Sequence, residues 1–440
     1  MKNNPRKIFE CRREEIDYTQ CQKKALLLIE HFLDSPELFF LLSGNAGTGK
    51  TTIAENIATY AHARMLAPTN AAIQRLKDKF ECDKIPGEKF ATIHATLYGA
   101  PDPETGEFIK KEGLRKAKVY IVDEASMIDN KVFEDLIEEA KKEKVKLIFL
   151  GDDFQLEPVG KDPLIFDWED AHPNIFSNNW KIKLTEVRRN EGSVLKVATH
   201  LREALYPEIL NLDEEDFEIV PRFSADIRND IKDDENYVIL VSTNKTRMNY
   251  NAHVRKVRFE EEAQNFINDG ERVISVANQQ FLNGEQYVIR HPKIIQGGCF
   301  EENVNTGSKK YPKWKTIKAY LIEHEVEGMK GSYRTLFIPD LDMPSLHAQV
   351  LMYNRDIYQN RYLTQKGPKW RMWDPKVNIA TYGYATSVHK SQGNEWDKVY
   401  IDCDWLSDNW NKSRWLYTAV TRAKKRVEIK QSNQFQLVDG

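Results

Sequence analysis

Gly44-Asn45-Ala46-Gly47-Thr48-Gly49-Lys50-Thr51, standing directly after the apolar run Leu38 to Leu42, is the stretch on which the fold of this chain turns. It fits GxxxxGK[ST], a loop in which glycines let backbone N–H groups converge on phosphates. The lysine reaches the β- and γ-phosphate oxygens, and the last hydroxyl ligates Mg²⁺. Residues 38–42 are too short and too apolar for anything but a buried strand. Thr51 to His62 reads as a helix whose N-terminus faces the phosphates. With strand, loop and helix in that order, ATP and Mg²⁺ are the expected ligands. Gly44, Asn45, Ala46, Gly47, Thr48, Gly49, Lys50, Thr51 and Thr52 are the residues expected to hold them.

Further along, the apolar strand Val119-Tyr120-Ile121-Val122 runs into Asp123 and Glu124. An Asp-Glu pair means little alone, but after a buried strand that follows a phosphate loop it assigns Asp123 to magnesium, with Thr51, and Glu124 to the attacking water. Gly151-Asp152-Asp153-Phe154-Gln155-Leu156-Glu157-Pro158-Val159 follows another apolar run, and Gln155 is placed to sense the γ-phosphate or its water. Phosphoryl transfer also needs cations from outside the loop domain. Arg189, in Leu184 to Asn190, and Arg422, in Tyr417 to Ala423, are the candidates; an unplaced arginine is more often a surface charge. Gln22, before the loop strand, is a candidate for the adenine amide edge, helix-start polarity being its plain alternative.

Working outward, short β runs alternate with amphipathic helices, the pattern of a parallel sheet with ligands beyond the C-terminal strand ends. An insertion at 98–116, with Asp102-Pro103-Glu104-Thr105-Gly106 at its turn, reads as a projecting hairpin bearing Phe108. A second α/β region spans 184–275 and 377–440. Between them, 276–376 changes to short, turn-separated β runs, with Gly297-Gly298 among the turns, and suggests an inserted β-barrel.

The chain has 440 residues, enough for two or three domains, and its 41% apolar content suffices for globular cores. With 64 Lys+Arg against 67 Asp+Glu the net charge is −3, so nucleic-acid affinity has to come from local patches. Residues 208–235 hold eleven acids and three bases and should face away from a polyanion. Ser308 to Lys318 holds five lysines with Tyr311 and Trp314 interleaved, and Trp370 and Trp373 follow in a second basic cluster. Such patches suit phosphate tracking and base stacking, or equally a solvated loop with core tryptophans. Five scattered cysteines without a CxxC pair fit reduced thiols and speak against a zinc site. No run reaches the roughly 18 apolar residues of a membrane span, so no membrane partner and a cytoplasmic place are expected.

Taken in order, these segments resemble the superfamily 1 helicases, specifically the B group of RecD-like and Dda-like enzymes. The likeness runs through Tyr18-Thr19 with Gln22, the loop 44–51, Ala67 to Ala72, Thr92-Ile93-His94, Asp123 to Ser126, Gly151 to Val159, Leu184 to Asn190, Thr386 to Gly393 and Tyr417 to Ala423. It implies an α/β protein of two RecA-like parallel-sheet motor domains. The first, 1–183, carries the hairpin; the second, 184–275 with 377–440, carries an SH3-like barrel at 276–376. It implies ATP hydrolysis coupled to 5′-to-3′ movement on single-stranded DNA and duplex unwinding, by a monomer. Thr69, Asn70, Thr92 and His94 in the first domain, and Thr386, Ser387, His389 and Lys390 in the second, would contact DNA without reading its sequence. Phe108 would stack at the single-strand/duplex junction as a separating pin. By the same analogy, replication or recombination proteins are the expected partners, in a phage-infected bacterial cytoplasm. Two other readings stay open. One is a single-strand translocase that displaces bound proteins without processive unwinding; the other, a nucleotide kinase, is opposed by the arginine motifs and the second α/β region.

Overall fold

The computed structural model describes residues 17–80, 89–101, 108–111, 114–156, 178–186, 192–204, 206–212, 214–223, 225–233, 236–276, 281, 284–305, 314–339, 377–403, 405–406 and 411–439. These fall into two compact units. One draws on Met1–Asp102, Glu107–Ala204 and Ser413–Thr421, the other on Leu205–Lys412 and Arg422–Gly440.

The strands of the first unit are β1 (Phe39–Gly44), β2 (Arg64–Ala67), β3 (Phe90–Thr92), β4 (Tyr98–Pro101), β5 (Phe108–Lys110), β6 (Val119–Val122), β7 (Lys146–Gly151) and β8 (Lys181–Leu184). Six of them form a sheet in the order β3-β2-β6-β7-β1-β8, with every pairing parallel. A parallel sheet is covered on both faces, which is why β1 and β6 are apolar and buried almost throughout. The covering helices are α1 (Gln20–Asp34), α2 (Lys50–Tyr60), α3 (Asn70–Lys79), α4 (Ile93–Leu97) and α5 (Asn130–Glu143), followed by α6 (Ser193–Glu203). Successive side chains alternate between two cores. Phe40, Leu42, Ile121 and Ile148 pack with Leu26 and Ile29 of α1 and Ile53 and Ile57 of α2. Leu41, Tyr120, Val122 and Phe149 pack with Phe133 and Leu136 of α5. Each such side chain contributes about 1.5–3 kcal/mol by leaving water. Because all six strands run one way, Gly44, Ala67, Thr92, Val122 and Gly151 end at one edge of the sheet.

β4 and β5 make the expected hairpin, pairing antiparallel through Tyr98↔Lys110 and Pro101↔Phe108. Its base is tied to α5, where Tyr98 bonds Asp135 and Lys110 pairs with Asp135 at 2.5 Å and Glu138 at 2.9 Å. The tip, 102–107, lies outside the described residues, as do Arg189, Trp370 and Trp373.

The second unit begins with β9 (Glu208–Asn211), β10 (Phe217–Val220), α7 (Ala225–Asp233), β11 (Tyr237–Val241) and α8 (Asn244–Phe259). It continues through β12 (Glu271–Ser275), β13 (Gln286–Asn305), β14 (Trp314–Val326), β15 (Tyr333–Phe337), β16 (Val377–Tyr382), β17 (Ala385–Ser387), β18 (Trp396–Asp402), β19 (Ala423–Lys430) and β20 (Gln436–Asp439). A second parallel sheet has the order β10-β19-β18-β11-β17, and β12 to β16 close into a barrel. Barrel strands β12 and β16 come from the stretches that flank 276–376.

One reading of the insert is corrected. Its early part is not a series of short strands: β13 runs for 20 residues and pairs with β14 from Ile289↔Val326 to Asn305↔Trp314. The Gly297-Gly298 pair, read as a turn, is a bulge between Ile294 and Cys299 where the register shifts. Gly297 has φ 74°, and a Cβ on Gly298 would lie 2.8 Å from Leu321 O, so the extra residues fit only with glycine there.

Candidate active site

At that common edge, β1 ends at Gly44 and α2 starts at Lys50. Gly49 caps α2 in the left-handed region at φ 82°, and a Cβ there would collide with the Gln22 amide, so the turn admits only glycine. Gln22 is buried at the head of α1. Its Nε2 donates to Thr48 O at 2.9 Å, and its Oε1 accepts from Thr19 N at 3.0 Å. The residue proposed for adenine thus also clamps the loop to α1. Within the loop, Thr48 Oγ1 donates to Asn45 O at 2.8 Å, and Lys50 Nζ donates to Gly44 O at 2.6 Å and Asn45 O at 2.9 Å. The ammonium is therefore held inside the cradle.

Asp123 and Glu124 follow β6, and Asp123 N donates to Leu66 O at 2.8 Å. Burial, then the charge of Glu124, raises the Asp123 carboxyl above the usual range, while Arg75 and Lys50 pull the other way. Burial and the neighbouring carboxylate thus disfavour the charged form of Asp123, which a nearby positive charge would restore. Glu124 sits in the left-handed region at φ 51°, a costly conformation for a side chain with a Cβ, and its carboxylate is paired with Arg75 of α3. Arg75 was not singled out from the sequence, which gives no sign that α3 passes the end of β6. Gln155 is buried on the turn after β7, its N–H donating to Asp152 O at 3.3 Å. Ser43 Oγ, Asn45 Oδ1, Asp123 Oδ2, Ser126 Oγ and Gln155 Oε1 are buried without a hydrogen-bond partner among the described residues. Buried polar atoms are normally satisfied, so this cluster beside a phosphate loop fits a highly polar ligand such as a metal-bound triphosphate.

A helix from far down the chain joins this site. Tyr417, on the helix Lys412–Val420, accepts from Ala46 N of the loop at 3.1 Å and donates to Asp152 Oδ2 at 2.5 Å. Leu156 N donates to Thr418 Oγ1 at 3.0 Å. Burial and Asp152 push the Tyr417 phenol well above its ordinary value, so it stays a neutral donor. Arg202 of α6 holds Asp152 at 3.0 Å and also pairs with Asp153. Burial would raise the Asp153 carboxyl, but Arg202 and Lys183 outweigh it and hold the group low. Tyr417, Asp152 and Arg202 were quoted within motifs or passed over, and none was assigned a role.

The other expected residues distribute as follows. Arg422 is buried in the second unit with Nη1 3.5 Å from Asn394 O. Thr69, beyond β2, and Thr92, the last residue of β3, are N-caps, accepting from Ala72 N at 3.2 Å and Ala95 N at 3.1 Å. Asn70 opens α3, and the exposed His94 ring rests against Tyr98 at 4.6 Å. In the second unit Thr386 and Ser387 end β17, and His389 and Lys390 lie on the short helix Val388–Ser391. Thr386 is buried, and burial lowers the His389 imidazole. Lys390 is exposed as a whole residue. The protein around its ammonium nevertheless desolvates it and, with Arg247, lowers it to about 8. Phe108 is a paired residue of the hairpin.

Residues 18–216 match the family model described as an AAA domain, and residues 382–429 match the UvrD-like helicase C-terminal domain. The chain is similar to the ATP-dependent DNA helicase dda of Enterobacteria phage T4, with 26% identity over 466 residues covering 93% of this chain and 98% of that protein. In fold it is similar to a structure from work on DNA unwinding at forked duplexes by two coordinating Pif1 helicases. That likeness has a TM-score of 0.52 at 16% identity and covers 94% of this chain and 92% of that one. The Pif1 helicase from Candida albicans gives 0.50 at 16%, covering 95% of each chain. The class so defined is an ATP-hydrolysing helicase that acts on DNA. More particularly, the two family matches and the likeness to dda agree with the superfamily 1 B helicases, the Pif1/RecD/Dda-like group.

Proposed function

We propose that this helicase moves 5′-to-3′ on single-stranded DNA and separates the duplex ahead of it. The observation that supports an ATP-driven motor is the convergence of Lys50, the Asp123-Glu124 pair and Gln155 on one sheet edge, hydrogen-bonded through Tyr417 to a helix of the C-terminal helicase motif, while the direction of movement is taken from the resemblance to Dda-like enzymes. Thr51 and Asp123 would hold Mg²⁺, which supplies charge neutralisation on the β- and γ-phosphates. Lys50 and the loop amides bind the phosphates, and Gln22 keeps the loop in register with α1 while its amide lies at the adenine side. Glu124, aimed by Arg75, orients the attacking water and takes up its proton. Arg189 and Arg422 are the proposed partners of the leaving charge. Gln155 and the Ala46–Tyr417–Asp152 connection carry the difference between bound triphosphate and diphosphate away from the loop.

Thr69, Asn70, Thr92 and His94, and in the second unit Thr386, Ser387, His389 and Lys390, supply the strand contacts. Phe108 serves as the separating pin, on a hairpin whose base is anchored by two carboxylates of α5. The domain scheme is proposed as two RecA-like motors, the second bearing an SH3-like barrel, in a monomer.

The test compares ATP-driven opening of two partial duplexes that differ only in having a 5′ or a 3′ single-stranded tail, each against Glu124→Gln. Opening of the 5′-tailed substrate alone is expected. Opening of the 3′-tailed one would reverse the polarity. ATP-driven removal of bound protein with neither duplex opened would make the enzyme a translocase.

A further inference from the structure

Away from the nucleotide site, the second unit contains a concavity of about 260 Å³ between α8 and the barrel. This is below the roughly 300–1,000 Å³ of a drug-sized pocket, and suits one planar group with a short polar arm. Its wall is the pair Phe266 and Tyr320, stacked with centroids 4.1 Å apart at 21°. Phe266 is fixed by the Tyr382 hydroxyl, which donates to its carbonyl at 2.5 Å. Gln264 and Asn265 are exposed at the rim; the Asn265 Nδ2 donates to Asn268 Oδ1 at 3.0 Å, and the Gln264 amide carries a donor and an acceptor of the kind a base edge needs.

The lining contains three basic residues and no carboxylate. Arg255 is matched by Glu271 at 3.1 Å; Arg247 lines the concavity as a buried residue, and Lys318 is exposed at the rim, 3.9 Å from Glu301. Arg247 also lies close enough to Lys390 to weigh against its protonation. A lining with basic residues and no carboxylate suits an anion. The floor is continuous with the segment expected to meet DNA, because Asn251 Nδ2 donates to Tyr382 O at 3.3 Å and its Oδ1 accepts from Ala385 N at 2.8 Å, one residue before Thr386.

We propose that this concavity binds one nucleotide of the tracked single strand, its base continuing the Phe266–Tyr320 stack and its phosphate lying toward Lys318 and Arg247. An aromatic platform with rim amides and cations, free of carboxylates, is the chemistry of single-strand binding. The inference rests on the single-strand reading above and adds a base-holding site outside the helicase motifs.

The probe is an oligothymidylate of about 15 nucleotides carrying 5-iododeoxyuridine at one position at a time, photocrosslinked to the full chain and mapped by mass spectrometry. Crosslinks to Phe266 or Tyr320 from one register are expected. In parallel, Tyr320→Leu should weaken oligonucleotide affinity roughly fivefold to a hundredfold. Tyr320→Phe, which keeps the stack and guards against misfolding, should stay near wild type. Lys318→Ala should reduce the slope of log affinity against log salt by about 0.7. Crosslinks confined to other segments, with affinity and slope unchanged in these variants, overturn the site while leaving the helicase reading intact. Failure of the wild type to bind the oligonucleotide overturns the reading itself. Titration with dTMP separates the other source: saturable binding abolished by Tyr320→Leu but not displaced by the oligonucleotide would make a free nucleotide the occupant and overturn the strand assignment.

Discussion

In the proposed mechanism, Glu124 and Arg75 together set how finely the hydrolytic step is aimed. The carboxylate reaches its position through a left-handed backbone and an ion pair, so its aim depends on a residue 49 positions earlier in the chain. Glu124→Gln should keep ATP binding and lower turnover by roughly 10²- to 10⁴-fold, the range of a lost general base. Equilibrium binding of a fluorescent ATP analogue beside steady-state phosphate release checks this, and turnover within a few-fold of wild type would remove the assignment. Arg75→Ala leaves the carboxylate present but unaimed; about a tenfold loss in kcat with little change in KM is expected. A change confined to KM would mean that Arg75 serves binding alone. That Lys50, Asp123 and Glu124 stand at strand ends was legible, because the apolar runs and glycines beside them carry that signal. Arg75, Arg202 and Tyr417 were not, because each acquires its role from a partner remote in sequence, and no local pattern marks an arginine or tyrosine for such a partner.

The elements themselves respond to pH in two places. In the barrel, His324 is buried with Nδ1 2.9 Å from Glu325 O and Nε2 2.8 Å from Thr335 Oγ1. A carbonyl only accepts, so Nδ1 carries the proton and Nε2 accepts from Thr335. Burial lowers the imidazole below its ordinary value. The unfolded chain, with a histidine near 6.5, therefore binds the proton first. Stability is complete above that pH and falls as pH drops through it, by up to about 1.4 kcal/mol per unit. Thermal melts between about pH 5 and 7.5 should show the wild type losing more Tm than His324→Gln; parallel curves would count against it. Lys390 has the opposite sign in function. It is charged below about 8, so single-strand affinity should weaken as pH rises through that value, and Lys390→Arg should flatten the profile. The parallel strands could be read from their apolar runs. The long β13–β14 hairpin could not, since a glycine pair is the same signal for a turn and for a bulge, and only the partner strand decides between them.

For the molecule as a whole, the order of the motifs along the chain was enough to place an ATP-driven helicase in its group, and the sheet edges then collected those motifs as that order implied. Phe108→Ala should leave DNA-stimulated ATP hydrolysis near wild type and reduce strand separation severalfold. Equal unwinding by the variant would dismiss the pin.

The compact unit that bears the phosphate loop ends neither at Ala204 nor at any single point, since it takes back Ser413–Thr421 after more than two hundred intervening residues. During synthesis, the Ala46–Tyr417–Asp152 connection has to wait until Tyr417 and the helix around it have left the ribosome. At the usual 5–20 residues per second, that is a delay of roughly 20–75 seconds after the loop itself emerges. A nascent chain that has not reached Ser413 should thus carry its nucleotide loop without this connection, and so has no means of passing the state of a bound nucleotide on to that helix.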